Sequence, residues 1–382
     1  MRIAVVRGAN LNPWELANYR LDGHEVVAFG ARRGAFDAHG LAIDRRRLSS
    51  PADVVGRLPG IGQGAVGRFA GDSGYLVGLE RALDGFDIAH TAELASPYSR
   101  QALRARDQGR VRRVVATVWE NIALPTPPNR FVARRTEIVA RGVDRFLAIT
   151  DRARDHLLFA GVPAERIEVI PMGVDLARFT PRPPSRDSSM PLRVLTVCRL
   201  VPEKGVEDLV VAARLLADRG VDVVVTFAGD GPDAAHLADM ATRLGVADRV
   251  VFTGGVPYDD IPRLHAEADV FVLASAPRAT WQEQFGFAVV EAMASGLPVL
   301  AGDSGSLDDV VGDPQQLVTP QYPERLADAL QLLAADPARR EALGAANRAS
   351  AERRYDRDVI AGRILAFYEA ALATASASSV SA

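Results

Sequence analysis

Two glutamates, Glu283 and Glu291, stand with seven residues between them in the stretch WQEQFGFAVVEAMASGLPVLAGDSGSLDD, Trp281 to Asp309. Two carboxylates can work a glycosidic bond, but only when both face one reacting centre. Here FAVVEAMAS reads as a helix, ended by Gly296 in the left-handed position and by Pro298. Were the whole interval helical, the carboxylates would lie about 12 Å apart along the axis and roughly 80° apart around it. That is wide for a glycosidase pair. The pattern is better met with Glu283 in the loop before the helix and Glu291 inside it, each gripping a different end of one elongated ligand. Between them Gly286, Phe287 and Ala288 open the helix, and a helix start favours an anion. An anion flanked by two hydroxyl-binding carboxylates describes a nucleotide sugar. The plainer alternative is a loop acid on the helix dipole and a solvated helix residue. Against it, Glu291 is the only charge between Gln284 and Gly302. A helix apolar all round is buried, and a buried carboxylate needs a partner.

The elements around this stretch alternate. RIAVV, HEVVAFG, DIAHTAE, RRVVATVWE, DRFLAIT and RIEVIPMG read as strands of a first half, with helices near 97–109, 129–141 and 151–160. Asn12-Pro13-Trp14-Glu15 reads as a helix start with Asn12 as N-cap and Glu15 closing a capping box. Residues 31–85 read as loops with one helix near 74–84. The second half repeats the alternation: LRVLTVCRL, VDVVVTFAGDG, RVVFTGG, VFVLASA and LPVLAG are strands, with helices over VEDLVVAARLLADRG, up to Leu244, and near 259–267. A long helical tail runs from about Pro323 to Leu372. Such alternation predicts α/β architecture, two doubly wound Rossmann-like domains with ligand sites at their strand ends and a common central cleft. The loop after strand one, Gly8-Ala9-Asn10, lacks the G-x-G-x-x-G fingerprint, which argues against a dinucleotide oxidoreductase.

The 382 residues suffice for two domains. There is no apolar run long enough to span a bilayer and the start shows no signal-peptide pattern, so the expected location is cytoplasmic. The single cysteine, Cys198, excludes an internal disulfide and a cysteine metal cluster. The net charge of −3 hides 28 basic against 21 acidic residues up to Met190, and 17 against 27 beyond it. A basic half suits nucleic acid or an anionic membrane surface. Its arginines are dispersed and no nucleic-acid motif is present, which leaves peripheral contact at the membrane's inner face open. Lys204 is the only lysine. Where every other basic residue is arginine, a retained lysine suggests a need for a compact ammonium.

Several pieces, in order, resemble the retaining glycosyltransferases of GT-B fold, in particular glycosyltransferase family four. They are Pro171-Met172-Gly173-Val174-Asp175 with Phe179, Arg199 through Gly205, Ala228-Gly229-Asp230-Gly231-Pro232, Val251-Phe252-Thr253-Gly254, and Glu283 through Val299. They span about 170 to 310; the first half matches only in pattern. The run GGVPYDDIPRLHAEADVF with GDSGS is also similar to mannosyltransferases that build phosphatidylinositol mannosides.

The resemblance implies an acceptor-binding domain over 1–175, a linker at 176–191 and a nucleotide-sugar-binding domain over 192–355. A C-terminal helix at 356–372 would pack back toward the first domain, ahead of a disordered tail at 373–382. It implies a hexose transferred from a UDP- or GDP-linked donor, with retention, to a glycan, lipid-linked or small-molecule acceptor. Arg199 and Lys204 would hold the donor diphosphate and neutralise the leaving group. No cofactor and no metal are expected: there is no D-x-D motif, and Asp259-Asp260 and Asp308-Asp309 read as helix-start acids. Glu283 would contact the sugar and Glu291 the ribose, with Phe285, Gly286 and Phe287 offering backbone N–H groups and Gly254 close by. In the first domain Gly8 and Asn10 stand where many relatives have two glycines. Many relatives carry a histidine after VVATV; here Trp119-Glu120-Asn121 follows, and Glu120 or Asn121 is expected to take over. His90 could face the cleft, though packing suits it better. Trp281 could stack a sugar or simply occupy a loop. An epimerase or hydrolase of the same fold, and a non-catalytic nucleotide-sugar binder, are the remaining readings.

Overall fold

The structure is a computed structural model that describes residues 1–33, 43–51, 53, 74–122, 129–181 and 190–373. The expected tail, from 374 on, and residues 182–189 of the expected linker lie outside these. The chain divides into two compact units, Met1–Gly173 with Arg357–Ala382, and Val174–Asp356.

The first unit is built on strands β1 (Arg2–Gly8), β2 (Glu25–Ala31), β3 (Asp44–Leu48), β4 (Phe86–Ala92), β5 (Val111–Val118), β6 (Arg145–Ala148) and β7 (Ile167–Val169). They form one sheet in the order β3-β2-β1-β4-β5-β6-β7. The central pairings are parallel, Val5 lying beside Ala28 on one side and His90 on the other. Apolar runs such as IAVV bury both faces, as strands covered by helices must, and Ile3, Val5, Phe29, Ile88 and Val115 are wholly buried. Strand β3 departs from expectation, because 31–85 reads as loop and helix. Its sequence DRRRL is largely exposed, so no apolar alternation marks it; a charged edge strand also resists pairing with another chain. The helix expected near 74–84 is confined to Leu79–Ala82. Asn12 does cap the helix Pro13–Leu16, accepting from the Glu15 N–H at 2.8 Å. Glu15 does not close the box as expected: its carboxylate is drawn instead to the buried Arg7 guanidinium at 2.6 Å.

The expected long helical tail is three helices, Pro323–Ala335, Pro337–Arg354 and Arg357–Ala373. Asp336 and Pro337 make the first break, the Asp336 carboxylate capping Arg339 N–H at 2.9 Å. The last helix belongs to the first unit. It buries Ile360, Ile364, Phe367 and Tyr368, and Ala371 O accepts from Arg113.

The second unit repeats the plan with β8 (Leu192–Val197), β9 (Val223–Ala228), β10 (Val250–Gly254), β11 (Val270–Leu273), β12 (Val299–Gly302) and the two-residue β13 (Leu317–Val318). Their order is β10-β9-β8-β11-β12-β13. The pairings are parallel, so every strand delivers its following loop to the same sheet edge. The order reverses between β8 and β11, which sets the loops after these two strands side by side at the position where α/β sheets bind ligands.

Candidate functional site

The second unit's strand ends carry the charges singled out in the sequence. After β8 the chain runs through Cys198 and Arg199 into a single turn, Pro202–Lys204, and then the helix Val206–Asp218. Gly205 joins the two at φ +64°, and a Cβ there would collide with the Ala274 carbonyl just past β11. Only glycine lets this turn settle against the β11 loop. Lys204 is thereby directed onto that loop. Its Nζ lies 2.6 Å from Glu283 Oε2, and the Ser275 hydroxyl donates to the same oxygen at 2.8 Å. Glu283 sits in a loop rather than a helix. It is fixed from behind: Ser306 N–H donates to Glu283 O, and Gly305, at φ +59°, leaves no room for a side chain against that backbone.

The Lys204 and Glu283 side chains are 15% and 10% exposed. The pair is therefore neither solvated nor sealed, and its attraction is stronger than at a surface. The ammonium also lies 5.0 Å from the Trp281 ring centroid, a cation–π contact that gives the loop tryptophan a definite partner. Arg199 differs: its side chain is 70% exposed, 3.5 Å from Glu203, and able to swing toward an incoming anion. Burial pushes the Cys198 thiol up to about 11, with the nearby Lys204 opposing, so this cysteine stays protonated near neutral pH.

Glu291 lies within the helix Phe287–Ala294, which starts at Gly286 in a left-handed conformation without a side-chain cap. The two glutamates thus divide between loop and helix. The carboxylate of Glu291 is buried, which excludes the solvated reading, and its partner is the Tyr258 hydroxyl, which donates to Oε1 at 2.8 Å. Burial raises its pKa to about 7, against the opposing effects of Tyr258 and the Arg178 charge. Above Tyr258 lies the Arg178 guanidinium, 4.3 Å from the ring centroid and bonded to Asp259 at 2.9 Å. Phe285 is buried, its ring edge-on to Phe287 and Tyr355, so its backbone is the part that can address a ligand. Gly254 closes β10, its carbonyl accepting from Gly229 N–H at 2.9 Å. Asp308 and Asp309 open the helix Leu307–Val311, and Asp259 and Asp260 the turn before Ile261–Glu267, as helix-start acids.

The remaining candidates belong to the first unit. Gly8 ends β1, and Asn10 N–H returns to Arg7 O at 3.0 Å. Glu120 spends Oε1 on the N–H groups of Asn121 and Ile122, at 3.0 and 2.8 Å, and Asn121 is buried. His90 does not face solvent. It is wholly buried, with Nδ1 2.5 Å from the Tyr368 hydroxyl and Nε2 2.7 Å from Thr117 Oγ1. Burial lowers its pKa well below the ordinary range and the Arg7 charge adds to this, so it is neutral.

Three residues escaped the sequence reading. Ser275 and Tyr258 hold the two glutamates, yet neither position has a signal beyond a polar residue after a strand. Glu93 follows β4 at φ +63°, a rare conformation for a side-chain-bearing residue. Its carboxylate accepts from Trp119 N–H at 2.8 Å, and burial foremost raises its pKa to about 7. Among the described residues no group of three or more His, Cys, Asp or Glu is placed to hold a metal ion, and no helix is long and apolar enough to cross a membrane.

Two family descriptions match in tandem: Glycosyltransferase Family 4 over residues 15–178 and Glycosyl transferases group 1 over 179–350. The chain is 34% identical over 285 residues to the GDP-mannose-dependent alpha-(1-6)-phosphatidylinositol monomannoside mannosyltransferase of Mycobacterium tuberculosis, covering 72% of this chain and 73% of that one. It is 31% identical to the putative colanic acid biosynthesis glycosyltransferase WcaL of Escherichia coli, covering 55% and 52%. Its fold is that of Anabaena HepE in a crystal structure with UDP, with a TM-score of 0.75 at 20% identity over 97% of this chain and 99% of that one.

Proposed function

The chain belongs to the group 1, family four glycosyltransferases of GT-B fold, and on that premise we propose that it moves a hexose from a nucleoside-diphosphate sugar to an acceptor hydroxyl, with retention and without a metal ion. The observation that carries this reading is the half-closed Lys204–Glu283 pair, at 2.6 Å, beside the exposed Arg199. A donor diphosphate takes over the charge of Lys204 and recruits Arg199. Glu283 is then released toward the sugar hydroxyls, Glu291 grips the ribose, and the backbone from Phe285 to Phe287 completes the donor site with Gly254.

As the bond from C1 to the diphosphate oxygen breaks, negative charge builds on the phosphate, and Lys204 and Arg199 oppose it there. The acceptor oxygen attacks C1 from the face the phosphate leaves, and its proton passes to the departing phosphate oxygen. No side-chain nucleophile is needed, and the Lys204 ammonium with the recruited Arg199 guanidinium does the work a metal would otherwise do. The donor is GDP- or UDP-linked, with GDP-mannose first to try, since the mannosyltransferase relative is named for it. The acceptor, lipid-linked, glycan or small molecule, is assigned to the first unit near Gly8, Asn10, Glu120 and Asn121. The basic charge of that half suits peripheral contact with an anionic membrane.

A thermal-shift screen against UDP-, GDP-, ADP- and dTDP-sugars tests the donor reading, and no shift with any of them would sink it. Product NMR then reports the anomer: an inverted product removes the claim of retention. Turnover is expected to persist in excess chelator. Free sugar released without acceptor would favour a hydrolase.

A further inference from the structure

The reading of Glu291 as the ribose grip leaves open what holds that carboxylate in place. Glu291 lies on a helix whose other residues from Val289 to Ala294 are apolar and buried, so the helix itself offers no partner. The partner comes from a separate element, the turn Tyr258–Asp260 after β10. Its Tyr258 hydroxyl reaches Oε1 at 2.8 Å. That tyrosine is fixed in turn. Arg178 lies over its ring at 4.3 Å, donates to its carbonyl and to Asp259 Oδ1, and Phe179 flanks it at 6.4 Å between centroids. A carboxylate accepts up to about four hydrogen bonds. With Oε1 committed to the tyrosine, Oε2 remains for two vicinal hydroxyls.

Resting on that reading of Glu291, we propose that Tyr258 is a positioning residue for the donor: its hydroxyl, braced by Arg178, fixes the Glu291 carboxylate in the orientation that receives the ribose diol. The charged groups around Glu291 are few. Arg178 faces it from the start of the second unit, with Asp175 and Asp259 beside Tyr258. From the packed helices, Arg348 bonds the carbonyl of Ala294 and Glu352, while Asp309 pairs with Arg354.

Tyr258→Phe keeps the ring under Arg178 and removes the hydroxyl alone, so the fold is expected to survive. Binding of GDP and UDP to the full chain is measured by calorimetry, beside the 2′,3′-dideoxy forms. For whichever ribonucleotide binds, the variant is expected to weaken affinity about tenfold, in line with losing one hydrogen bond to a charged group. The dideoxy form should bind both proteins alike. With a sugar donor, KM should rise and kcat stay within about twofold. The hydroxyl also favours the charged carboxylate, so the pH midpoint of donor affinity should move upward in the variant. Equal loss on ribo and dideoxy nucleotides, or an unmoved midpoint, would overturn the positioning role. Glu291→Ala separates the layers: if it binds ribonucleotide like the wild type, the ribose grip itself is wrong and the inference falls with it. If it weakens binding while Tyr258→Phe changes nothing, only the inference falls.

Discussion

The two units share a strand order but use their strand ends in opposite ways. In the first, the polar groups of β1, β4 and β5 that meet at Arg7, His90 and Thr117 are sealed. Arg7 is 2% exposed and is satisfied by Glu15 at 2.6 Å, Tyr19 Oη at 2.7 Å and His90 O at 3.0 Å. Burial works against the arginine's charge, but Glu15 and Tyr19 more than offset it. His90 and Thr117 extend the network to Tyr368 of the last helix. In the second unit the corresponding edge holds the Lys204 ammonium on the Glu283 carboxylate, with side chains 15% and 10% exposed, and the 70% exposed Arg199 beside them. A fully satisfied network has nothing left to give a ligand; a partly exposed ion pair at a loop junction can exchange partners. The same topology thus makes a strut in one place and the proposed binding edge in the other, and which it becomes depends on how deeply each charge is buried among internal partners.

That contrast can be broken by experiment. The largest effect is expected from Arg7→Ala, which leaves Glu15 buried without its cation. Urea unfolding should show a loss of about 3–5 kcal/mol; a loss under about 1 kcal/mol would mean that the network is not a strut. Lys204→Ala should cost less stability than Arg7→Ala, because Glu283 keeps the Ser275 donor and some access to water, but should reduce transfer by about a hundred- to a thousandfold, as when one preorganised charge-stabilising donor is removed. Wild-type turnover in that variant would remove the binding edge. Next is a pH effect. Glu93 and Glu291, one in each unit, have native pKa values raised from 4.5 to about 7. At these two groups the native state therefore holds protons that the unfolded state has released between these values, so their contribution to stability falls as pH rises from about 4.5 to 7, while the buried neutral His90 and His265 act in the opposite sense. Glu93→Gln removes one of the two contributions, on the order of 1–3 kcal/mol at pH 7 and above. The stability of the variant relative to the wild type should rise across that window; a difference that does not change with pH would refute the assignment. The smallest effect is Ser275→Ala, which takes one donor from Glu283. A rise of roughly fivefold in donor KM is expected from about 1 kcal/mol, with kcat little altered and no change in Arg7-dependent stability.

Legibility in the sequence followed the same division. Apolar runs marked the central strands, as IAVV and VFVL show, because burial on both faces leaves no other composition possible. The division of Glu283 to a loop and Glu291 to a helix was also legible, from Gly286 before the apolar run and Gly296-Leu297-Pro298 after it. Strand β3 was not, since DRRRL at a sheet edge buries too little to leave a pattern. Glu15 was misread locally because a capping box concerns four residues, and the competing partner, Arg7, is set by β1 rather than by the turn. Glu93 gave no sign at all: its partners, Thr117 O for its N–H and Trp119 N–H for its carboxylate, lie far along the chain, at the end of β5 and just past it.

Chain order and residue chemistry by themselves determined two doubly wound units, a lone lysine after a strand, and two carboxylates on either side of a helix start. Periodicity and turn chemistry are local, and these features are local. What only the tertiary structure decided is which charge meets which. Lys204 and Glu283 are 79 residues apart and meet at 2.6 Å, because the strand order reverses between β8 and β11. Tyr258 reaches Glu291 because parallel strands bring distant loops to one edge, and Tyr368 reaches His90 because the last helix packs on the sheet of the first unit; in both cases partners are chosen by proximity in the fold, which no spacing along the chain records.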